Sequence, residues 1–122
     1  MPDRVLSEAE IHDRLKRDLP RWTLAGGSIC RTYRTASWKG TLMVINTVGH
    51  LAEAAWHHPD IAASYGSVEV RLNTHDAKGI TAKDFELARK IEEVVTWHPG
   101  AGDALTGIPA GDERFAYIKP DA

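Results

Sequence analysis

Glu53-Ala54-Ala55-Trp56-His57-His58-Pro59 is the stretch from which the rest of the chain is read. It reads as the end of a long helix. Trp38, Leu42, Ile45, Val48, Ala52 and Ala55 recur at helical spacing ahead of it, and Pro59, which has no backbone donor, closes it. With Ser37 as N-cap, the helix is expected over about residues 38–57. Residues four apart share a helix face, so the Glu53 carboxylate is expected to reach His57. A neighbouring carboxylate and the exposed carbonyls of a helix end both favour an imidazolium. The pattern suits a histidine that holds a proton to give away near neutral pH.

Upstream, Gly40 and Gly49 each weaken this helix by about 1 kcal/mol relative to alanine, unless close packing needs them. Before the helix, Ser28 to Thr35, with Ile29, Cys30 and Tyr33, reads as a strand. It pairs through a Gly26-Gly27 hairpin turn with a short strand carrying Trp22 and Leu24. Ser7-Glu8-Ala9-Glu10 has the form of a capping box, flanked by Leu6 and Ile11 at staple positions. A first helix is expected over about 8–19, ended by Pro20.

Downstream, a short strand near Ala62–Tyr65 is expected to pair with Ser67 to Thr74, where Val68, Val70 and Leu72 alternate with Glu69, Arg71 and Asn73. Thr81-Ala82-Lys83-Asp84 is a second capping box, with Ile80 and Phe85 as its staple. It starts a helix at about residue 82 that buries Phe85, Ala88, Ile91 and Val95. The order α-β-β-α-β-β-α predicts an α+β domain, with helices on one face of a small antiparallel sheet. From Trp97 onward glycine and proline recur and periodicity is lost. Phe115, Tyr117 and Ile118 suggest that this end packs on the domain. The expected division is a domain at 1–96 and an extension at 97–122.

A chain of 122 residues with 26% charged and 43% hydrophobic residues suits one globular domain. A formal net charge of −2 argues against nucleic-acid binding by phosphate neutralisation. Cys30 is the only cysteine, so no internal disulfide is expected. No apolar run approaches the ~20 residues that cross a bilayer, and no secretory signal opens the chain. The expected location is the cytoplasm, without membrane association.

Six histidines are present. His12 and His98 read as surface residues, and Trp56 and Tyr65 as packing residues rather than ligand platforms. His75 follows a strand and precedes a turn. Asp84 stands where a capping-box carboxylate belongs. His50, Glu53 and His57 fall on one helical stripe that could ligate zinc, but the HExxH pattern and cysteine clusters are absent, and no metal is expected. No G-x-S-x-G elbow, P-loop or dinucleotide fingerprint occurs.

Taken together, Glu53, His57-His58-Pro59, Tyr65, His75 and Asp84 at these spacings resemble the pterin-4a-carbinolamine dehydratases, also called 4a-hydroxytetrahydrobiopterin dehydratases. The resemblance covers roughly residues 6–96. It implies an α+β two-layer sandwich with a four-stranded antiparallel sheet, assembled as a homodimer or homotetramer. It also implies removal of water from a 4a-hydroxytetrahydropterin to give the quinonoid dihydropterin, in tetrahydrobiopterin recycling, without metal or redox cofactor. Carried over residue by residue, it makes His57 and His75 the acid–base pair. His58 would position the pterin and Glu53 would set the charge of His57. Backbone groups of Trp56, His57 and His58, followed by Pro59, and of Asn73, Thr74, His75 and Asp76 would hold the flat ring, with Asp84 bordering it. Ile61 stands where many relatives have tryptophan. The alternative is a non-catalytic scaffold, an assembly or dimerisation factor acting through a protein partner. Retention of all three histidines weighs against it.

Overall fold

The computed structural model describes residues 3–109 and 117–120. Among these, the order is α1 (Glu8–Asp18), β1 (Thr23–Ala25), β2 (Ser28–Arg34), α2 (Trp38–Ala55), β3 (Asp60–Ser64), β4 (Ser67–Leu72) and α3 (Ala82–Val95). The four strands form one antiparallel sheet in the order β1-β2-β4-β3. This is the expected α+β sandwich.

Local chemistry places the elements. The Ser7 Oγ accepts the Glu10 amide at 3.1 Å, while Glu10 Oε1 accepts the Ser7 amide at 3.0 Å, so α1 opens on a reciprocal box. Gly26 and Gly27 have φ of 57° and 77°, the left-handed pair that a two-residue hairpin needs. Ser37 caps α2 by accepting the Gly40 amide at 3.2 Å. On the sheet, Ile29, Arg31 and Tyr33 pair with Leu72, Val70 and Val68, and all six are buried. Against them lie Val44 and Val48 of α2 and Phe85, Ala88 and Ile91 of α3.

Three expectations need correction. Helix α2 ends at Ala55 rather than residue 57, because Trp56 turns left-handed at φ 52° and ψ 46°. The buried stripe of α2 is Thr41, Val44, Val48 and Ala52, leaving Trp38 and Leu42 exposed. Both stripes have helical spacing, and the sheet selects the one carrying small and β-branched side chains. Strand β3 spans Asp60–Ser64 rather than 62–65, since its pairing with β4 starts at Asp60 opposite Arg71.

The two helical glycines differ. A Cβ on Gly40 would lie 2.8 Å from the Tyr117 carbonyl oxygen, whereas one on Gly49 would meet nothing within 4 Å. Gly40 admits the returning chain. Ala36 donates its amide to Tyr117 at 3.0 Å, Lys119 donates to Arg34 at 2.8 Å, and Thr35 bridges Ile118. Phe115 lies outside the described residues.

A part-buried polar cluster joins the sheet to α3 without any local sequence pattern to announce it. Glu92 Oε1 accepts from Tyr33 Oη at 2.7 Å, Arg31 Nε at 2.9 Å and Trp22 Nε1 at 3.0 Å. The Arg31 guanidinium also lies over the Tyr33 ring, 4.3 Å from its centre. Burial pushes the Glu92 carboxyl up, but the donors Arg31, Tyr33 and Trp22 together outweigh it and hold the group below the usual carboxylate range. Burial, followed by the adjacent carboxylate, drives the Tyr33 hydroxyl well above the usual phenol range. Glu92 shares the α3 stripe with Phe85 and Ala88, and Arg31 alternates inward with Ile29 and Tyr33. A charge of each sign at an inward position is the signal that could have revealed the cluster.

Candidate active site

The end of α2 determines where each imidazole goes. The Trp56 amide donates to Glu53 O at 3.2 Å and the His57 amide to Ala52 O at 3.1 Å, the paired bonds of a Schellman ending. Beyond this reversal His57 is no longer one helical turn above Glu53. The expected Glu53–His57 contact is therefore absent, and each histidine finds a different carboxylate. Glu53 Oε1 lies 2.6 Å from His58 Nε2, in an exposed pair. His57 Nε2 lies 2.6 Å from Asp84 Oδ1.

Asp84 is fully buried, and its two oxygens have separate partners. Oδ1 faces His57; Oδ2 accepts the Thr81 amide at 2.9 Å and the Thr74 hydroxyl at 2.8 Å. The Thr74 and Thr81 hydroxyls are themselves 2.8 Å apart. An ionised carboxylate only accepts, so with Asp84 ionised the bonded proton of His57 is assigned to Nε2. That leaves Nδ1 for another partner. Asp84 is at once the helix cap that the capping box predicts and the partner of His57.

Thr74 also anchors the third histidine. Its amide donates to Gly79 O at 2.8 Å, closing a tight loop in which the Lys78 amide donates to His75 O at 3.1 Å. His75 stands exposed at the start of this loop, one residue from the group that binds Asp84. The shared carboxylate thus brings the helix end and the loop, far apart in sequence, to one place.

Part of the backbone expected to hold a ligand is engaged within the fold. The amides of Trp56, His57 and Thr74 are already engaged within the fold. The Asn73 side-chain amide donates to Ser28 Oγ at 2.9 Å, while Asp76 is exposed. Tyr65 is exposed, and its carbonyl accepts from the Thr41 hydroxyl at 2.8 Å. Among the described residues no three His, Cys, Asp or Glu side chains are grouped to hold a metal ion, and the His50–Glu53–His57 stripe does not form such a group. No helix among them is long and apolar enough to cross a membrane.

A cavity of about 710 Å³ opens beside His57, between the end of α2 and α3. Leu51, Ala54, Ala55, Trp56, His57 and Leu87 line it, together with Lys83, Glu86 and Lys90. His58 and His75 are not part of its wall.

The family model described as Pterin 4 alpha carbinolamine dehydratase matches residues 4–94. A protein of Aquifex aeolicus (strain VF5), provisionally named a pterin-4-alpha-carbinolamine dehydratase, is 44% identical over 75% of this chain and 92% of its own length. A protein of Chloroflexus aurantiacus with the same provisional name is 47% identical over 74% of this chain and 96% of its own. Among solved structures, one described as a transcriptional coactivator/pterin dehydratase from Brucella melitensis superposes with a TM-score of 0.69 at 26% identity, covering 75% of this chain and 99% of that one. Another, described as a pterin dehydratase-like RuBisCO assembly factor in the alpha-carboxysome, has a TM-score of 0.52 at 14% identity over 64% of this chain and 90% of that one, a likeness of fold alone. The chain belongs to the pterin 4 alpha carbinolamine dehydratase family.

Proposed function

We propose that this protein removes water from a 4a-hydroxytetrahydropterin, giving the quinonoid dihydropterin for tetrahydrobiopterin recycling. The C4a–O bond breaks as its hydroxyl takes a proton and departs as water. The N5 lone pair forms the C4a–N5 double bond, and N5 gives up its proton. One proton is delivered and one is removed, so two groups that titrate near neutrality suffice, and the step itself calls for no electron carrier. His57 and His75 divide the two transfers; His58, held by Glu53, positions the ring. The observation that carries this reading is the Asp84 carboxylate, which ties His57 to Thr74 and so to the His75 loop.

The catalytic unit in this proposal is residues 1–96, and 97–122 is an extension whose described end seats beside Gly40. Self-association would use the exposed Trp38, Leu42 and Met43 on α2 and the exposed edge strand β3. Light scattering that shows only monomer at micromolar concentration would remove this part.

The deciding experiment follows dehydration of freshly made 4a-hydroxytetrahydrobiopterin by ultraviolet absorbance. Wild type should accelerate the spontaneous reaction, and His57→Ala or His75→Ala should lower turnover by about a hundredfold or more. Near-wild-type turnover in both variants overturns the acid–base assignment. No acceleration by folded wild type overturns the dehydratase reading.

A further inference from the structure

The proposed proton transfers use imidazoles and leave the indole beside them without a role. Trp56 holds the left-handed position of a Schellman ending, where glycine, and sometimes asparagine, avoids the clash of a Cβ with the backbone. A bulky aromatic residue there is a backbone outlier, and such strain persists where the surroundings enforce it. Burial does not offset it, because the side chain is 76% exposed. The indole meets His58 edge to face, with 5.1 Å between centroids and 82° between planes. In either sense of that contact at least one face of the indole stays open. The same residue walls the cavity that contains His57, alongside the apolar Leu51, Ala54 and Leu87.

We infer that the Trp56 indole is an aromatic platform against which the conjugated part of the pterin rests at the edge of this cavity, beside His57. The inference rests on the dehydratase reading and adds a specificity-determining side chain to it. Stacking suits the conjugated 2-amino-4-oxo portion of the pterin, because it needs a flat π-face rather than a particular hydrogen-bond pattern. The left-handed backbone fixes where the indole stands, so less side-chain freedom is lost when the ligand arrives. Here a strained position, an exposed ring and a cavity meet in one residue.

The test uses 7,8-dihydrobiopterin, which carries the bicyclic ring but no 4a-hydroxyl to lose, with Trp56→Gly and Trp56→Phe beside wild type. Trp56→Gly relieves the backbone and should unfold at a higher denaturant concentration than wild type. It should nevertheless bind the probe about tenfold more weakly and raise KM in parallel, with a smaller fall in kcat. Trp56→Phe, which keeps a smaller ring, should fall between the two. Ligand binding should quench indole emission in wild type more than in Trp56→Phe. Equal affinity of wild type and Trp56→Gly for the probe overturns the platform while leaving the dehydratase reading intact. Unchanged affinity with altered sedimentation would assign the indole to a contact between copies, which also overturns it. A wild type that neither binds the probe nor turns over substrate removes both readings.

Discussion

Helix α3 carries two carboxylates into the protein, one at each end, and their surroundings differ. Asp84 at its start meets a histidine, a threonine hydroxyl and a backbone amide. Glu92, two turns on, meets arginine, tyrosine and tryptophan. The partners of Glu92 do not change charge near neutral pH, so that cluster is a fixed brace between sheet and helix. Asp84 instead faces an imidazole, a side chain that can both donate and accept a proton, and a cavity opens beside it. Partner chemistry, rather than depth of burial, separates the structural end from the end proposed to react.

The largest expected effect would break this contrast at the braced end. Glu92→Ala withdraws the acceptor from Trp22, Arg31 and Tyr33 at once. It should lower unfolding free energy by about 3–5 kcal/mol, the range for breaking a buried ion pair. Turnover per folded molecule should survive, and a loss matching the loss of His57 would show that the two ends are one unit.

At the reactive end, Asp84→Asn keeps the shape and an oxygen for the cap but removes the charge beside His57. Turnover should fall about a hundredfold with a modest loss of stability. Urea unfolding read with initial rates separates the two. A variant that works as wild type does would mean that His57 acts without its carboxylate.

The smallest effect sharpens the comparison through pH. The folded state holds Glu92 below its usual range, so the unfolded chain binds the proton more readily in acid. The stability from this group is complete above the unfolded carboxyl range and declines as pH falls toward the depressed folded value. Denaturant midpoints between neutral and about pH 3 should therefore drop more steeply in wild type than in Glu92→Gln. Parallel curves would show that Glu92 does not contribute to acid sensitivity.

Most of the frame was legible because its signals are local. The Ser7 and Thr81 boxes, the Gly26-Gly27 turn and the alternation of β4 each lie within a few residues, and the structure contains all of them. The arrangement of the candidate site was legible in part. The spacing singles out His57, His58, His75 and Asp84 as candidates, but the i to i+4 rule joined Glu53 to the wrong imidazole. That rule assumes that the helix continues, and the left-handed turn at Trp56 ends it one residue before His57. The Glu92 cluster joins residues 59 to 70 positions apart, so no periodicity announces it. In sequence Trp56 looks like a packing residue, as tryptophans usually are, and only its exposure contradicts that.

The division of labour between the two oxygens of Asp84 bears on descent. One oxygen starts a helix and the other holds an imidazole, so one side chain serves two purposes. A lineage that abandoned the chemistry would still need α3, so the aspartate would outlast the reaction while the histidine drifted. Retention of an aspartate at this place in a relative thus testifies to ancestry, and retention of His57 to continued use.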